Sequence, residues 1–145
     1  DKTEKKRYAF GITKKSEGYA EPVLRPTAGG IEGKESYMVD LKDCFRGIVE
    51  DIKKGVKAPT ISARFHNTFA ELIRKVCLIA REETGIEIVA LSGGVFQNIL
   101  LLNRLSKLLE KDGFRPLTHH LVPPGDGGIC LGQAVVADAR LGGKG

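Results

Sequence analysis

Ile86-Glu87-Ile88-Val89-Ala90-Leu91-Ser92-Gly93-Gly94-Val95-Phe96-Gln97-Asn98 is the stretch on which the fold turns. Its first six residues are short, β-branched and bounded by Gly85 and Gly93, which reads as a strand. The residues after it recur as Ile99, Leu101, Leu102, Leu105, Leu108 and Leu109, a helical stripe that ends near Asp112 and Gly113. Strand, glycine pair and helix in that order form a β–α unit. A glycine pair at the carboxyl end of a strand lets a ligand approach the backbone, and the following helix offers free N–H groups. Ligands of parallel α/β sheets sit at that end of the strands. The pattern is neither G-x-G-x-x-G nor a P-loop, since no lysine stands ready for a triphosphate. Two readings are therefore open, a ligand turn or a plain tight β–α connection. Asn98, placed in the first helical turn, offers both a donor and an acceptor.

Downstream, Arg115 to Val122 reads as a second strand. Pro123-Pro124-Gly125-Asp126-Gly127-Gly128 is a polar loop, and a last helix is expected from about Gly128 to Leu141, with Leu131, Ala134, Val135 and Ala137 inward. Two strands joined by a helix should be parallel. A parallel sheet wants helices on both faces and more than two strands, so the sheet should continue outside this chain.

Upstream, Leu41, Cys44, Phe45, Ile48, Val49, Ile52 and Val56 form one stripe of a helix capped by Asp40. A second helix follows, capped by Thr60 and ended by Gly85, burying Ile61, Phe65, Phe69, Leu72, Ile73, Val76, Cys77 and Ala80. Residues 1–39 differ in texture. Tyr8 to Ile12 and Tyr37 to Val39 read as short strands, and Arg25 to Gly30 as loop, so a peripheral hairpin or arm is expected there. Residues 40–145 form the main lobe.

The 145 residues fit one domain, and 41% hydrophobic with 28% charged residues is globular composition. The longest strongly apolar run, Ile99 to Leu102, is far short of the ~20 residues that a membrane helix needs. Net charge is +5, but it is spread thinly, so nucleic acid is not an expected partner. Cysteines 44, 77 and 130 form no C-x-x-C pair, which argues against a disulfide framework or zinc ribbon. The chain opens on Asp1 and has a single methionine, Met38, so it is expected to be a piece of something longer.

Few residues remain that carry chemistry. Asp126 is the one acidic side chain between Asp112 and Asp138. It suits either a helix cap or one ligand of a cation, and one carboxylate cannot build a metal site alone. His119 and His120 are adjacent on an expected strand and should face opposite ways. His66 lies within Arg64-Phe65-His66-Asn67-Thr68, beside the buried stripe of the second helix. It reads as a half-buried histidine or, with Asn67, as the wall of a site.

Three segments taken together resemble one family. They are Ala63 to Thr68, Ala90 to Asn98, and Val122 to Ala134, in this order and at this spacing. They are similar to the C-terminal end of the HypF carbamoyltransferases, which mature nickel–iron hydrogenases. The resemblance covers roughly residues 40–141. It implies an incomplete lobe of an actin-like ATPase (ribonuclease H-like) α/β fold, with a short parallel sheet and helices packed on it. It also implies a cytoplasmic parent that uses carbamoyl phosphate and ATP. That parent would form carbamoyl-adenylate and carbamoylate the C-terminal cysteine of a HypE-like acceptor. Ser92, Gly93, Gly94 and Asn98 would then contact the nucleotide, and Asp126 would ligate a divalent metal ion whose histidine ligands belong to an earlier lobe. His66 and Asn67 would line the cleft. The family usually shows asparagine where this chain has Gly125. A related threonylcarbamoyl- or O-carbamoyl-transferase, or a non-catalytic nucleotide-dependent interaction module, would share the turn. The isolated piece is expected to be inactive, and its open sheet edge suits a homodimer.

Overall fold

The computed structural model describes residues 3–15 and 36–142. The loop expected at Arg25 to Gly30 lies outside them. Residues 3–10 run along the second helix, and β1 (Gly11–Lys15) pairs antiparallel with β2 (Ser36–Asp40), Ile12 opposite Val39. The first strand starts three residues later than its pattern suggests, because Tyr8 is used for packing. Its ring lies against Gly47, where an added Cβ would come within 2.7 Å of it, and its hydroxyl donates to Asp51 at 2.7 Å.

That contact also redirects α1 (Lys42–Lys53). Its N-cap is Leu41 and not the expected Asp40, which ends β2 and whose carboxylate accepts from the Lys42 N–H at 2.9 Å. The expected seven-residue stripe is only partly inward. Cys44 and Asp51 are buried, whereas Phe45, Val49 and Ile52 are exposed. The inward face is set by Tyr8 and by the Asp51 ion pair, and the larger apolar residues flank it.

Helix α2 (Ala58–Thr84) is the spine of the molecule. It starts two residues before Thr60, with Pro59 in the first turn, where its missing N–H costs nothing. It ends on Gly85, whose left-handed φ of 71° sets the stop. Phe69, Ile73, Cys77 and Leu78 pack on the core from this helix, while Val76 and Ala80 are exposed, contrary to their place in the stripe.

The core is Ala70, Leu91, Leu101, Leu105, Leu109 and Phe114. It lies between α2, α3 (Ile99–Lys111), and the parallel pair β3 (Ile88–Leu91) and β4 (Arg115–Thr118). The strands are shorter than expected at Ile86 and at Val122, yet they pair parallel as the connecting helix requires. Val89 and Leu91 face the core, and Ile88 and Leu117 on the opposite face are exposed.

Helix α4 (Ile129–Arg140) is exposed along its whole length. Leu131, Ala134, Val135 and Ala137 were expected inward, but no element among the described residues lies over them. Periodicity identifies an apolar face and is silent about what covers it. All three cysteines are free thiols, and burial pushes those of Cys44 and Cys77 up, so they are packing residues. Among the described residues no helix is long and apolar enough to cross a membrane.

Candidate functional site

The glycine turn is built by backbone geometry. After Leu91 and Ser92, Gly93 takes φ 104° and ψ 159°, a conformation essentially reserved for glycine. A short 3₁₀ turn over Gly94–Gln97 follows, and Asn98 is the N-cap of α3. Its side-chain oxygen accepts from the Leu101 N–H at 3.1 Å. Asn98 therefore stands just before the helix, one position short of the first turn in which its spacing put it. Gly94 is different from Gly93. Its φ is ordinary, and a Cβ there would meet nothing within 4 Å.

The second segment with chemical content folds onto the first. The Gly93 N–H donates to the Pro124 carbonyl at 2.7 Å. A Cβ on Gly125 would lie 2.9 Å from Gln97 Nε2 and 3.5 Å from Gly94 Cα. Glycine at this position lets the loop rest on the turn, and a larger residue would need the Gln97 amide to swing aside. Asp126 opens the 3₁₀ turn Asp126–Gly128 and is exposed. It does not cap α4, whose N-cap is Gly128 with no side-chain bond. Among the described residues no group of three His, Cys, Asp or Glu could hold a metal ion, so Asp126 offers one ligand at most.

Two histidines hold the ends of the turn. His119 Nε2 is 3.0 Å from Ser92 Oγ, and His66 Nε2 is 2.8 Å from Asn98 Nδ2. His120 instead contacts Thr118, its Nε2 3.2 Å from Oγ1. Both histidines lie past the end of β4, so strand alternation does not govern them. The His119–Ser92 contact was missed from sequence, although the parallel register contains it. Leu91 pairs with Thr118, the last residues of the two strands, so the residues that follow them are Ser92 and His119.

The polar cluster of α2 divides in two. His66 faces the turn, whereas Asn67 serves the N-terminal segment. Asn67 Nδ2 donates to the Glu4 and Lys6 carbonyls, both at 2.9 Å, and its oxygen accepts from Arg104. Arg64 bridges Glu4 at 3.1 Å and Asp51 at 2.7 Å. The Tyr8 hydroxyl and the Arg64 guanidinium hold the Asp51 carboxyl below its ordinary value. Burial, with Asp51 alongside, pushes the Tyr8 phenol up to about 12. The Thr68 hydroxyl accepts from the Tyr8 N–H at 2.8 Å and donates to the Arg64 carbonyl. These residues bind chain to chain.

A groove of about 320 Å³ lies elsewhere, lined by Phe10, Ile12, Lys75, Leu78, Ile79 and Glu82. It shares no residue with the turn or the Asp126 loop.

Residues 4–133 match the family model described as the carbamoyltransferase Kae1-like domain, second subdomain. The chain is 39% identical over 104 residues to carbamoyltransferase HypF of a Synechocystis species, covering 71% of this chain and 13% of that protein. It is 33% identical over 93 residues to HypF2 of Cupriavidus necator, covering 64% of this chain and 12% of that protein. Among solved structures it is similar to a full-length HypF in a phosphate- and nucleotide-bound form, with a TM-score of 0.76 and 37% identity. That likeness covers 97% of this chain and 16% of the other. It is also similar to HypF of T. kodakarensis, with a TM-score of 0.61, 30% identity, and coverage of 72% of this chain and 14% of the other. The chain thus spans a small part of the length of the relatives it matches. Its α/β lobe, its glycine turn and these likenesses agree, and the chain belongs to the HypF carbamoyltransferase family.

Proposed function

We propose that this chain supplies the adenosine-binding turn of a carbamoyltransferase that works through carbamoyl-adenylate, made from ATP and carbamoyl phosphate. The observation that carries the reading is Gly94. Nothing in the chain itself calls for a glycine there, because its φ is ordinary and the space above it is open. A ligand pressed against the backbone would call for one. A related protein solved with nucleotide bound supports the same reading.

In this proposal Gly93 and Gly94 form the floor of the adenosine site, and Ser92 and Asn98 supply its polar groups. The Asp126 loop, tied to the turn through the Gly93–Pro124 bond, closes one side. Asp126 would give one carboxylate to a divalent cation whose other ligands lie in the rest of the parent. The described residues do not make a complete cation site by themselves.

The reaction asks for little covalent help from this lobe. The acceptor's cysteine thiolate attacks the carbamoyl carbon, the bond from that carbon to the phosphate oxygen breaks, and AMP departs. A thiocarboxamide forms on the acceptor, here a HypE-like protein with a C-terminal cysteine, in the cytoplasm. Holding the adenosine rigidly makes the attack effectively intramolecular, and the turn contributes that positioning.

The test is product analysis with the full-length parent, ATP, carbamoyl phosphate and an acceptor ending in cysteine. Mass spectrometry should find a thiocarboxamide on the terminal cysteine. A carbamoylated or threonylcarbamoylated nucleoside or hydroxyl product instead, or nucleotide binding with no product, would overturn the proposal in favour of a related transferase or an interaction module.

A further inference from the structure

The hydrogen bonds around Asn98 determine the state of His66. A backbone N–H can only donate, so the Leu101 N–H, 3.1 Å away, fixes which end of the Asn98 amide is oxygen. The other end, Nδ2, lies 2.8 Å from His66 Nε2. An amide nitrogen only donates, so Nε2 must accept and carries no hydrogen. On the far side of the ring Nδ1 is 2.7 Å from the Ser62 carbonyl oxygen, which only accepts. Nδ1 therefore carries the hydrogen. Leu101, Asn98, His66 and Ser62 form one unbroken chain of donors and acceptors from α3 to α2. The Phe65 ring stands edge-on to the imidazole with centroids 6.1 Å apart, which limits its rotation.

We infer that His66 is a positioning residue for Asn98, acting as a neutral Nδ1–H imidazole that holds the amide with Nδ2 turned away from α3. The consequence concerns what the turn can recognise. The Asn98 oxygen accepts from the Leu101 N–H in the helix cap, and one Nδ2 hydrogen is given to His66. The remaining Nδ2 hydrogen is what a ligand meets. Asn98 then offers that hydrogen to an acceptor, such as a ribose oxygen or a purine ring nitrogen. The identity of the ligand rests on the adenosine reading proposed above. The tautomer and the amide orientation do not.

The test separates the two. A long-range proton–nitrogen spectrum of the ¹⁵N-labelled chain without nucleotide, at a pH where imidazoles are neutral, should show His66 protonated on Nδ1 and bare on Nε2. His66→Phe keeps a ring but has no acceptor, and the Asn98 side-chain amide resonances should move. His66→Gln places an amide oxygen near the old Nε2 and should restore them. Affinity for Mg-ADP should fall about three- to tenfold in His66→Phe, as for the loss of one hydrogen bond, and recover in His66→Gln. An Nε2–H tautomer in the wild type overturns the inference, as does a His66→Gln variant no better than His66→Phe. If the tautomer and the amide resonances behave as stated but even the wild type ignores nucleotide, the adenosine reading fails and the positioning role stands. Should His66→Phe not fold, the wild-type tautomer and the His66→Gln amide resonances still decide.

Discussion

Adjacent glycines in the turn answer to different forces. Gly93 is required by the backbone, since φ 104° with ψ 159° is closed to other residues. Gly93→Ala should cost about 1–3 kcal/mol of stability in thermal or denaturant unfolding. Gly94 is free of that demand and of steric neighbours. Gly94→Ala should leave the midpoint of unfolding within about 0.5 kcal/mol of wild type. Its nucleotide affinity, read by calorimetry, should still drop at least severalfold. Loss of stability in Gly94→Ala would show that the chain needs this glycine after all. At this scale the sequence was partly legible. The glycine pair and Asn98 could be singled out by type and spacing. Their division of labour could not, because a φ angle and the space over a Cβ are tertiary facts. Asn67 shows the same limit, since nothing local reveals that its amide faces the N-terminal segment rather than the turn.

The elements are joined by charge as well as by apolar contact. Arg74 on α2 grips Asp112 at the end of α3 through two nitrogens, one of them 3.0 Å from the carboxylate, and also meets Glu71 at 3.0 Å. Arg74 holds the Asp112 carboxyl below its usual range. Asp51 is held down by the Tyr8 hydroxyl and Arg64, and Glu4 by the Lys6 N–H and Arg64. Each group stays ionised in the folded chain at a pH where the unfolded chain takes up its proton. The stability they give is present above the ordinary carboxylate range of about 4 and is lost as pH falls through their lower native values. Melting temperature followed downward in pH should fall along this limb, and Asp112→Asn should make the fall shallower. An unchanged acid limb in Asp112→Asn would remove the Arg74 pair from the account. The existence and kind of each α-helix and strand could be read from periodicity and glycine stops, down to the left-handed Gly85, whereas the two 3₁₀ turns could not. The ends could not. Pro59 started α2 early, Tyr8 delayed β1, and the outward turn of Phe45, Val49 and Ile52 depended on a tyrosine more than thirty residues away.

As a whole molecule the chain is a lobe with uncovered faces. Ile88 and Leu117 are exposed on one side of a two-stranded sheet, and α4 presents Ile129, Leu131, Val135 and Val136 to solvent. Uncovered apolar residues of this kind suit an interface. The isolated chain should therefore bind a hydrophobic dye and self-associate through these faces. Leu131→Lys with Val135→Lys, one helical turn apart, should reduce both without lowering the melting temperature. A monodisperse, dye-silent wild-type chain in sedimentation would contradict this. From the sequence the sheet was expected to extend beyond two strands, since a parallel pair alone leaves backbone edges and a face bare. It placed residues of α4 inward because amphipathicity was taken as burial.

In the proposed function the Ser92–Asn98 turn and the Asp126 loop, joined through the Gly93–Pro124 bond, form one half of an adenosine site. Amide spectra of the labelled chain recorded while Mg-ADP is added test it most directly. Shifts should be confined to Ser92, Gly93, Gly94, Asn98 and the amides from Gly125 to Gly128. A well-dispersed spectrum that does not move at millimolar nucleotide, or one whose shifts cluster at the Phe10–Lys75 groove instead, would contradict it.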